Sequence, residues 1–322
     1  MLVDLPLDEL RDFRYARPEP AGFDAFWRAT LESQCADPVR VSAVPVEGIL
    51  RTVEAYDVTF GGYGGDPVRA WYLRPAGVAA DLPTVVEYIG YGGGRGLPHE
   101  HLLWAGCGYA HLVVDTRGQG SVFNTGATPD PHGSGPAAPG YLTRGLDSPD
   151  SHYYTRVFVD AVRAVAAARA LPGVDAGRVI AYGGSQGGAI ALAAASLTGD
   201  LAGVAARAPF LCAIERAVLI TDRDPFYELT RWLGVHHGAE AETALETLAH
   251  IDVVFHARRA TCPAYISVGL MDDICPPSTV MAAANDYAGP LTTRVWHWNG
   301  HEVGGAHDLQ DIAHWAAPLL LS

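Results

Sequence analysis

The sequence predicts an α/β fold in which a mostly parallel sheet is covered by helices on both faces. From residue 84 onward, short apolar segments alternate with longer helix-like stretches, the pattern of parallel strands joined by helical crossovers. The 322-residue chain is 49% hydrophobic and 18% charged, a composition typical of a globular protein rather than a disordered one. Length alone suggests about two domains, but the continuous alternation favours a single domain over residues 1–322.

The part of the chain that precedes this alternation is expected to extend the main sheet. Within an N-terminal extension of residues 1–50, residues 22–35 predict an amphipathic helix with its apolar side chains on one side. Residues 53–60 and 67–74 alternate apolar and polar side chains, and the glycine-rich segment between them predicts a β-hairpin.

The remaining elements are six strands and five helices. The strands are expected at residues 84–89, 109–115, 178–182, 203–208, 264–270 and 292–298. The helices are expected at residues 99–106, 153–171, 187–197, 278–287 and 306–320. Parallel sheets of this kind bind their ligands at the carboxyl ends of the strands.

Two segments do not fit the simple alternation. Residues 116–150 are rich in Gly, Pro, Ser and Thr, and a loop of this length is expected to be functional or to form an interface arm. Residues 211–256 predict a helical insertion, which we expect to form a lid over the carboxyl ends of the strands.

Composition excludes several classes of chemistry. The 22 Lys and Arg residues are all arginine, so Schiff-base chemistry, pyridoxal phosphate attachment and a P-loop lysine are excluded. The net charge of −14 would repel nucleic acid and anionic membranes, and no apolar run of about 20 residues predicts a membrane span. The acidic N-terminus does not resemble a signal peptide, and five cysteines without a C-x-x-C pair are typical of reduced thiols. We expect a cytoplasmic protein that acts on small neutral molecules.

The most informative motif is Gly183-Gly184-Ser185-Gln186-Gly187, between a predicted strand and a predicted helix. A serine in this G-x-S-x-G context lies on a tight, strained turn, and the flanking glycines allow the strand and the helix to approach each other. Ser185 is therefore the candidate nucleophile. The backbone N–H of Gln186, at the N-terminus of the helix, would stabilise a developing oxyanion.

An elbow serine of this kind is followed along the chain by an acid and then by a histidine. Asp272 follows one predicted strand, and His301 lies in a loop just past the last predicted strand. Asp273 is the competing acid, but Asp272 is preferred because it is nearer to the strand end. His297 is interpreted as a packed histidine within the last strand. This order and placement are those of an α/β-hydrolase.

A second oxyanion donor is expected from the glycine-rich loop after strand 84–89, where the backbone N–H of Tyr91 is the candidate. His297 and His301 are four residues apart, but no carboxylate or cysteine joins them at the spacing of metal ligands. We therefore expect no metal and no other cofactor.

These residues resemble the carbohydrate esterase family 7 proteins, the group of acetyl xylan esterases and cephalosporin-C deacetylases. The matching segments occur in family order along nearly the whole chain: Asp24-x-Phe26-Trp27, Gly90-Tyr91, Asp115-Thr116-Arg117-Gly118-Gln119-Gly120, Gly183-Gly184-Ser185-Gln186-Gly187-Gly188, Gly269-Leu270-Met271-Asp272, Ile274-Cys275-Pro276-Pro277-Ser278-Thr279 and Gly300-His301-Glu302. The resemblance implies an α/β-hydrolase that removes acetyl groups from short sugars such as xylo-oligosaccharides, and from cephalosporin C, through an acetyl-serine intermediate. It also implies a ring-like homohexamer.

The resemblance implies a role for each matching site residue. The triad would be Ser185, Asp272 and His301, and the oxyanion hole would be formed by the backbone amides of Tyr91 and Gln186. A structural signature is implied in Arg117, Gly118, Gln119 and Glu302. Of these, Arg117 would tie loops together by hydrogen bonds and Glu302 would support the site without touching substrate.

The substrate pocket implied by the resemblance contains Ile89, Tyr91 and Pro225. The family commonly has Tyr-His-Gly-Tyr where this chain has Tyr88-Ile89-Gly90-Tyr91. Ile89 therefore makes the pocket edge more apolar and leaves the preferred alcohol open. Because a fold does not determine a substrate, two alternatives stand beside the deacetylase. One is a hydrolase of another small ester or amide, including a peptidase-like one, and the other is a non-catalytic ligand-binding protein.

Overall fold

The structure is a computed structural model that describes residues 3–132 and 140–321. Its described residues contain one mixed sheet of nine strands. These are β1 (Val41–Pro45), β2 (Val53–Gly61), β3 (Pro67–Pro75), β4 (Leu82–Tyr88), β5 (Ala110–Val114), β6 (Val174–Gly184), β7 (Gly203–Arg207), β8 (Ala264–Gly269) and β9 (Leu291–Trp296). The spatial order is β1-β2-β3-β5-β4-β6-β7-β8-β9. The first three pairs in this order are antiparallel, and every pair from β5 to β9 is parallel.

Eleven α-helices accompany the sheet in the described part of the chain. They are α1 (Leu7–Asp12), α2 (Phe23–Gln34), α3 (Leu103–Gly106), α4 (Tyr153–Ala170), α5 (Gln186–Thr198), α6 (Ile214–Ile220), α7 (Phe226–Leu233), α8 (Ala239–Ala249), α9 (Val253–Ala257), α10 (Pro277–Asn285) and α11 (Ala306–Leu321).

Both faces of the central strands are buried, which confirms the predicted α/β-hydrolase fold class. Successive residues of one strand point to opposite faces. Val86 of β4 packs in the core cluster that contains α4 and α5, whereas Val85 packs in the cluster that contains α11. Ala181 and Ile180 of β6 divide between the two clusters in the same way. Continuously apolar strands of this type need helices on both sides.

The predicted hairpin is confirmed as β2 and β3, and the predicted helix 22–35 is confirmed as α2. Neither α1 nor β1 was predicted. Helix α1 has six residues and buries only Leu10, so its sequence is too short to show helical periodicity. Strand β1 is short, lies at the sheet edge and has no fully buried residue, so its apolar pattern is weak.

Two predictions near the carboxyl ends of strands need correction. The helix predicted at 99–106 is a 3₁₀ turn at Pro98–Glu100 followed by the single turn of α3. His297 is not a packed histidine within a strand. Because β9 ends at Trp296 and is the edge strand of the sheet, the side chain of His297 is exposed to solvent.

The two irregular segments differ in structure. Residues 211–256 contain α6, α7, α8 and all but the last residue of α9. The role of this insertion as a lid stays a prediction. Part of the long loop predicted at 116–150, residues 133–139, lies outside the described residues, and its role as an interface arm also stays a prediction. Among the helices of the described chain, none is both long enough and apolar enough to cross a membrane.

Candidate active site

Ser185 occupies the turn between the end of β6 and the start of α5, as predicted. Its φ of 55° lies in the left-handed region, which costs a non-glycine residue of the order of 1–2 kcal/mol. The backbone around it is held by hydrogen bonds to neighbouring segments. The Ser185 N–H donates to the Arg207 carbonyl at 2.8 Å, and the Phe210 N–H donates to the Ser185 carbonyl at 3.0 Å. The surrounding chain therefore maintains the strained conformation.

Glycines allow the strand and the helix of this elbow to meet. A Cβ atom at Gly187 would lie 2.1 Å from the carbonyl oxygen of Tyr88 on the neighbouring strand β4. A Cβ atom at Gly183 would lie 2.3 Å from the carbonyl carbon of Gly187. Both distances are far shorter than van der Waals contact, so the sequence requirement for glycine at these positions is steric.

Asp272 and His301 meet at the carboxyl ends of β8 and β9. The Nδ1 atom of His301 lies 2.8 Å from Oδ2 of Asp272, whose side chain is fully buried. The other oxygen, Oδ1, accepts hydrogen bonds from the backbone N–H groups of Ile274 and Cys275 at 2.9 Å each. Asp273, the competing acid, is instead 45% exposed and pairs with Arg223 at 2.7 Å. Asp272 is thus the carboxylate that contacts the histidine.

Ser185 and His301 line one open cavity of about 370 Å³. The remaining lining residues are Gly184, Arg207, Glu302, Val303, Gly305 and Leu309. Most of these belong to β6, β7 or the segment between β9 and α11, residues 297–305, which we call the histidine loop. The parallel sheet therefore brings residues that are more than 100 positions apart in sequence to one edge, at the strand ends where such folds bind ligands.

Tyr91 lies in a tight turn directly after β4. The Gly93 N–H donates to the Gly90 carbonyl at 3.1 Å, and Gly92, the third residue of this turn, has a φ of +76°. A residue with positive φ at that position is the signature of a type II turn. At Gly92 a Cβ atom would lie 2.4 Å from Val122 Cγ2, so glycine is also required for space.

Gln119 connects this turn to the elbow. Its side-chain oxygen accepts the Gly92 N–H at 2.6 Å, and its side-chain nitrogen donates to Tyr153 Oη at 2.9 Å. The side-chain amides of Gln119 and Gln186 also bond to each other, at 2.9 and 3.2 Å. Gln186 opens α5, where the first backbone N–H groups have no acceptor within the helix. A buried amide pair thus fixes the two segments that carry both candidate oxyanion donors.

Arg117 and Gly118 of the signature hold loops together. Arg117 is fully buried and bonds Asp160 through two nitrogens, at 2.6 and 2.9 Å, with further bonds to Asp66 and Asp130 at 3.2 Å each. Gly118 adopts a φ of +67°, and its N–H donates to the Thr128 carbonyl at 2.8 Å.

Glu302 lies on the histidine loop with an exposed side chain. Its carboxylate accepts a hydrogen bond from the side-chain amide of Asn299 at 2.9 Å, within the same loop. This hydrogen bond is the main cause that lowers the pKa of Glu302 below its usual value. The position is consistent with a residue that shapes the loop around His301.

The three residues predicted for the substrate pocket lie outside the lining of the cavity that contains Ser185 and His301. Ile89, Tyr91 and Pro225 are not among the described residues that line the 370 Å³ cavity. Ile89 is buried, and its carbonyl accepts a hydrogen bond from Gln186 Nε2 at 3.1 Å. Pro225 is buried and directly precedes α7. Their contact with substrate stays a prediction.

Glu228 of α7 forms a contact with Tyr91 that the sequence did not indicate. Its carboxylate accepts a hydrogen bond from Tyr91 Oη at 2.6 Å, which joins the insertion 211–256 to the loop after β4. Burial raises the pKa of Glu228, and burial together with the nearby Glu228 carboxylate raises the pKa of Tyr91. A carboxylate inside a helical insertion is ordinarily solvated, so only the tertiary structure reveals this pair.

Within residues 3–132 and 140–321, no group of three or more His, Cys, Asp or Glu side chains is arranged to hold a metal ion. The chemistry available at this site is that of a hydroxyl, an imidazole, a buried carboxylate and backbone amides. These are the groups that acyl transfer through a serine nucleophile uses.

Comparison with known proteins identifies the family. The family described as acetyl xylan esterase (AXE1) matches residues 1–319. An acetyl xylan esterase from Paenibacillus sp. R4 is 35% identical, with a TM-score of 0.91 over 98% of this chain and 99% of that chain. Acetyl xylan esterase 1 from Thermoanaerobacterium sp. JW/SL YS485 is 30% identical, with a TM-score of 0.89 and the same coverage.

A curated relative extends the comparison. Acetyl esterase Axe7A from Xylanibacter ruminicola is 30% identical over 297 residues, which are 88% of this chain. The match covers 63% of that relative's own length. Since the family match spans almost the entire sequence, the chain belongs to the acetyl xylan esterase family.

Proposed function

We propose that this chain is a serine esterase that removes acetyl groups from small acetylated carbohydrates, with xylo-oligosaccharides as the substrate class. The observation that carries the proposal is the grouping of three side chains. Ser185 on its strained elbow shares a cavity with His301, whose Nδ1 lies 2.8 Å from buried Asp272. Family membership supports an acetyl ester as the substrate, because two structural relatives that cover nearly the whole chain are acetyl xylan esterases.

In the proposed acylation step, His301 Nε2 accepts the Ser185 hydroxyl proton while Oγ attacks the acetyl carbonyl carbon. The carbonyl oxygen becomes an oxyanion, which the backbone N–H groups of Tyr91 and Gln186 would stabilise. Collapse of the tetrahedral intermediate breaks the bond to the sugar oxygen, and His301 donates its proton to that leaving alcohol. Asp272 stabilises the imidazolium that forms between these two events.

Deacylation repeats the same steps with water as the nucleophile. His301 removes a proton from the water, whose oxygen attacks the acetyl-Ser185 carbonyl, and it then returns that proton to Ser185 Oγ as acetate leaves. Bonds and protons balance with water as the second substrate and no other reactant. The proposal therefore includes no metal and no cofactor.

The test is acetate release from acetylated xylobiose, cephalosporin C, p-nitrophenyl acetate and p-nitrophenyl octanoate, with Ser185→Ala as the inactive control. We expect the sugar ester to be hydrolysed, acetate to be strongly preferred over octanoate, and Ser185→Ala to lose all turnover while retaining its fold. Turnover of the p-nitrophenyl esters alone would keep the serine esterase and reject the carbohydrate substrate. A peptide amide is assayed in parallel, and its cleavage at a comparable rate would favour the peptidase-like alternative.

Several finer expectations from the sequence and from the family resemblance belong to the same proposal. They are cephalosporin C as a second substrate, a pocket formed by Ile89, Tyr91 and Pro225, a lid formed by residues 211–256, and a cytoplasmic homohexamer. The Tyr91–Glu228 contact supports an insertion that reaches the loop after β4, which carries the candidate oxyanion donor Tyr91. Light scattering of the purified 34.2 kDa chain tests the assembly. A mass of one or two chains would reject the hexamer.

A further inference from the structure

The histidine loop is irregular and needs support from outside itself. Val303, Gly304 and Gly305 all have positive φ, at 39°, 72° and 54°. Two turn hydrogen bonds close the loop internally, from the Val303 N–H to the Gly300 carbonyl at 3.2 Å and from the Gly305 N–H to the Glu302 carbonyl at 2.9 Å. Consecutive left-handed residues persist only where surrounding contacts hold them.

Arg207, the last residue of β7, supplies such contacts. Its Nη2 atom donates to the Glu302 carbonyl at 3.0 Å and to the Gly305 carbonyl at 3.3 Å. Its Nε donates to Asp308 Oδ2 at 2.8 Å, at the start of α11. The guanidinium therefore bonds the backbone on the C-terminal side of His301 at two points and the helix that follows at a third.

The partner carboxylate is itself rigidly held. Asp308 is fully buried and accepts four hydrogen bonds, the one from Arg207 and three others from Tyr265 Oη, Ser267 Oγ and Trp296 Nε1 at 2.9 Å each. The donors come from β8 and β9, the two strands that end next to Asp272 and His301. A buried carboxylate whose lone pairs are all used by ordered donors is a fixed anchor.

The backbone of Arg207 contacts Ser185, the candidate nucleophile. Its carbonyl accepts the Ser185 N–H at 2.8 Å, and Arg207 lines the same cavity as Ser185 and His301. We propose that Arg207 is a positioning residue for the acyl-transfer reaction, because it sets the separation and orientation of the Ser185 hydroxyl and the His301 imidazole. One residue is bonded to the nucleophile through its main chain and to the histidine loop through its side chain.

The proposal rests on the serine mechanism above and makes a specific kinetic claim. Displacement of the histidine loop impairs proton delivery to the leaving group, and this matters most when the leaving group is a poor one. A sugar alcohol must be protonated as it departs, whereas p-nitrophenol is a far stronger acid and departs as its anion. Loss of Arg207 should therefore lower kcat/KM more for sugar acetates than for p-nitrophenyl acetate, since kcat/KM reports acylation.

The experiment compares Arg207→Met and Arg207→Lys with wild type on acetylated xylobiose and p-nitrophenyl acetate. For Arg207→Met we expect kcat/KM to fall about 100-fold on the sugar ester and about 10-fold on the p-nitrophenyl ester, the size of a misplaced general acid–base group. Arg207→Lys should fall between Arg207→Met and wild type. Lysine keeps the charge opposite Asp308 but cannot reproduce the planar fork that also bonds the two carbonyls.

The matched control is Arg258→Met. Arg258 forms a comparable half-buried pair with Asp286, through two nitrogens at 2.7 and 3.0 Å, away from the histidine loop. Arg258→Met should leave the ratio of the kcat/KM values for the sugar ester and the p-nitrophenyl ester unchanged. Thermal unfolding verifies that each variant is folded, and Arg207→Lys carries the test if Arg207→Met does not fold.

An equal loss on both esters, or a change in their ratio for Arg258→Met as large as for Arg207→Met, would overturn the inference. The Ser185→Ala control separates this failure from failure of the proposed function. If Ser185→Ala is inactive while Arg207 variants lose both esters equally, only the positioning role is wrong. If Ser185→Ala remains active on both esters, the serine mechanism itself is wrong.

Discussion

At the scale of single residues, the orientation of the His301 ring depends on how Asp272 uses its two oxygens. One oxygen accepts two backbone N–H groups, so the other must be the acceptor for His301 Nδ1. This arrangement assigns the proton to Nδ1 and leaves Nε2 free to accept the Ser185 proton. The backbone after β8 therefore determines the tautomer of a histidine that is 29 residues further along the chain.

The first prediction follows from that assignment. In Asp272→Asn, the amide oxygen would face the Ile274 and Cys275 N–H groups and the NH₂ group would face His301. The imidazole would then have to accept at Nδ1 and carry its proton on Nε2, which is the wrong tautomer for a general base. We expect kcat for p-nitrophenyl acetate to fall about 10⁴-fold with little loss of stability. Asp273→Asn is the matched control and should retain most activity, so a larger loss at Asp273 would contradict the assignment.

At the scale of elements, the elbow depends on how closely α5 approaches β4. The Cβ of Gly187→Ala would lie 2.1 Å from a strand carbonyl, whereas the Cβ of Gly188→Ala would come no nearer than 3.2 Å to the Gly183 carbonyl. We predict that Gly187→Ala destabilises the protein by about 3 kcal/mol or more, because backbone must move. Gly188→Ala should stay within about 1 kcal/mol of wild type, since alanine favours the helix. Urea unfolding measures both, and equal stabilities would contradict the steric account.

The pairing of β4 with β5 brings together a half-buried acid, Glu87, and two histidines. His111 Nε2 lies 2.8 Å from a Glu87 carboxylate oxygen, and His101 Nδ1 lies 3.7 Å from the same oxygen. Burial alone would raise the pKa of Glu87, but its contacts with the two histidines lower it to about 2. Burial alone would lower the pKa of His101, but its contacts with Glu87 raise that pKa above the usual 6.5.

These opposite shifts predict a pH window for stability. The depressed pKa of Glu87 contributes stability that is present above about pH 4.5 and is lost as the pH falls toward 2. The raised pKa of His101 contributes stability that is present below pH 6.5 and is lost as the pH rises through the folded-state value. Glu87→Gln should therefore lower the free energy of unfolding most between about pH 4.5 and 6.5, by roughly 2 kcal/mol.

Urea unfolding of wild type and Glu87→Gln from pH 3 to about pH 9 measures this window. Glu242→Gln, at an exposed position of α8, is the control and should show no such maximum. A difference between wild type and Glu87→Gln that stays constant over the whole range would show that the coupling with His101 does not contribute.

At the scale of the whole molecule, the sequence predicts the fold wherever periodicity is strong. The central strands are continuously apolar because both of their faces are buried, and the elbow glycines are required by contact distances that any protein with this turn must satisfy. Ser185, Asp272 and His301 each follow a recognisable strand, so their convergence at one sheet edge could be expected from topology alone.

Other features depend on tertiary contacts that leave no local pattern. Strand β1 is exposed on most of its length. The His297 prediction is wrong because the edge strand β9 ends at Trp296, two residues before the predicted strand end. Glu228 and Arg207 resemble ordinary surface charges in sequence. They contact the residues around the candidate site only because α7 packs against the loop after β4 and because β7 lies between the elbow and the histidine loop.

The central claim is that Ser185 carries the acetyl group during turnover, and rapid acid quench followed by peptide mass spectrometry tests it most directly. With p-nitrophenyl acetate as substrate, we predict that the peptide containing Ser185 gains the mass of one acetyl group in the steady state. The same peptide should stay unmodified in Ser185→Ala, which should also be inactive. Full turnover with no acetyl group on Ser185, or with the acetyl group on another residue, would contradict the account.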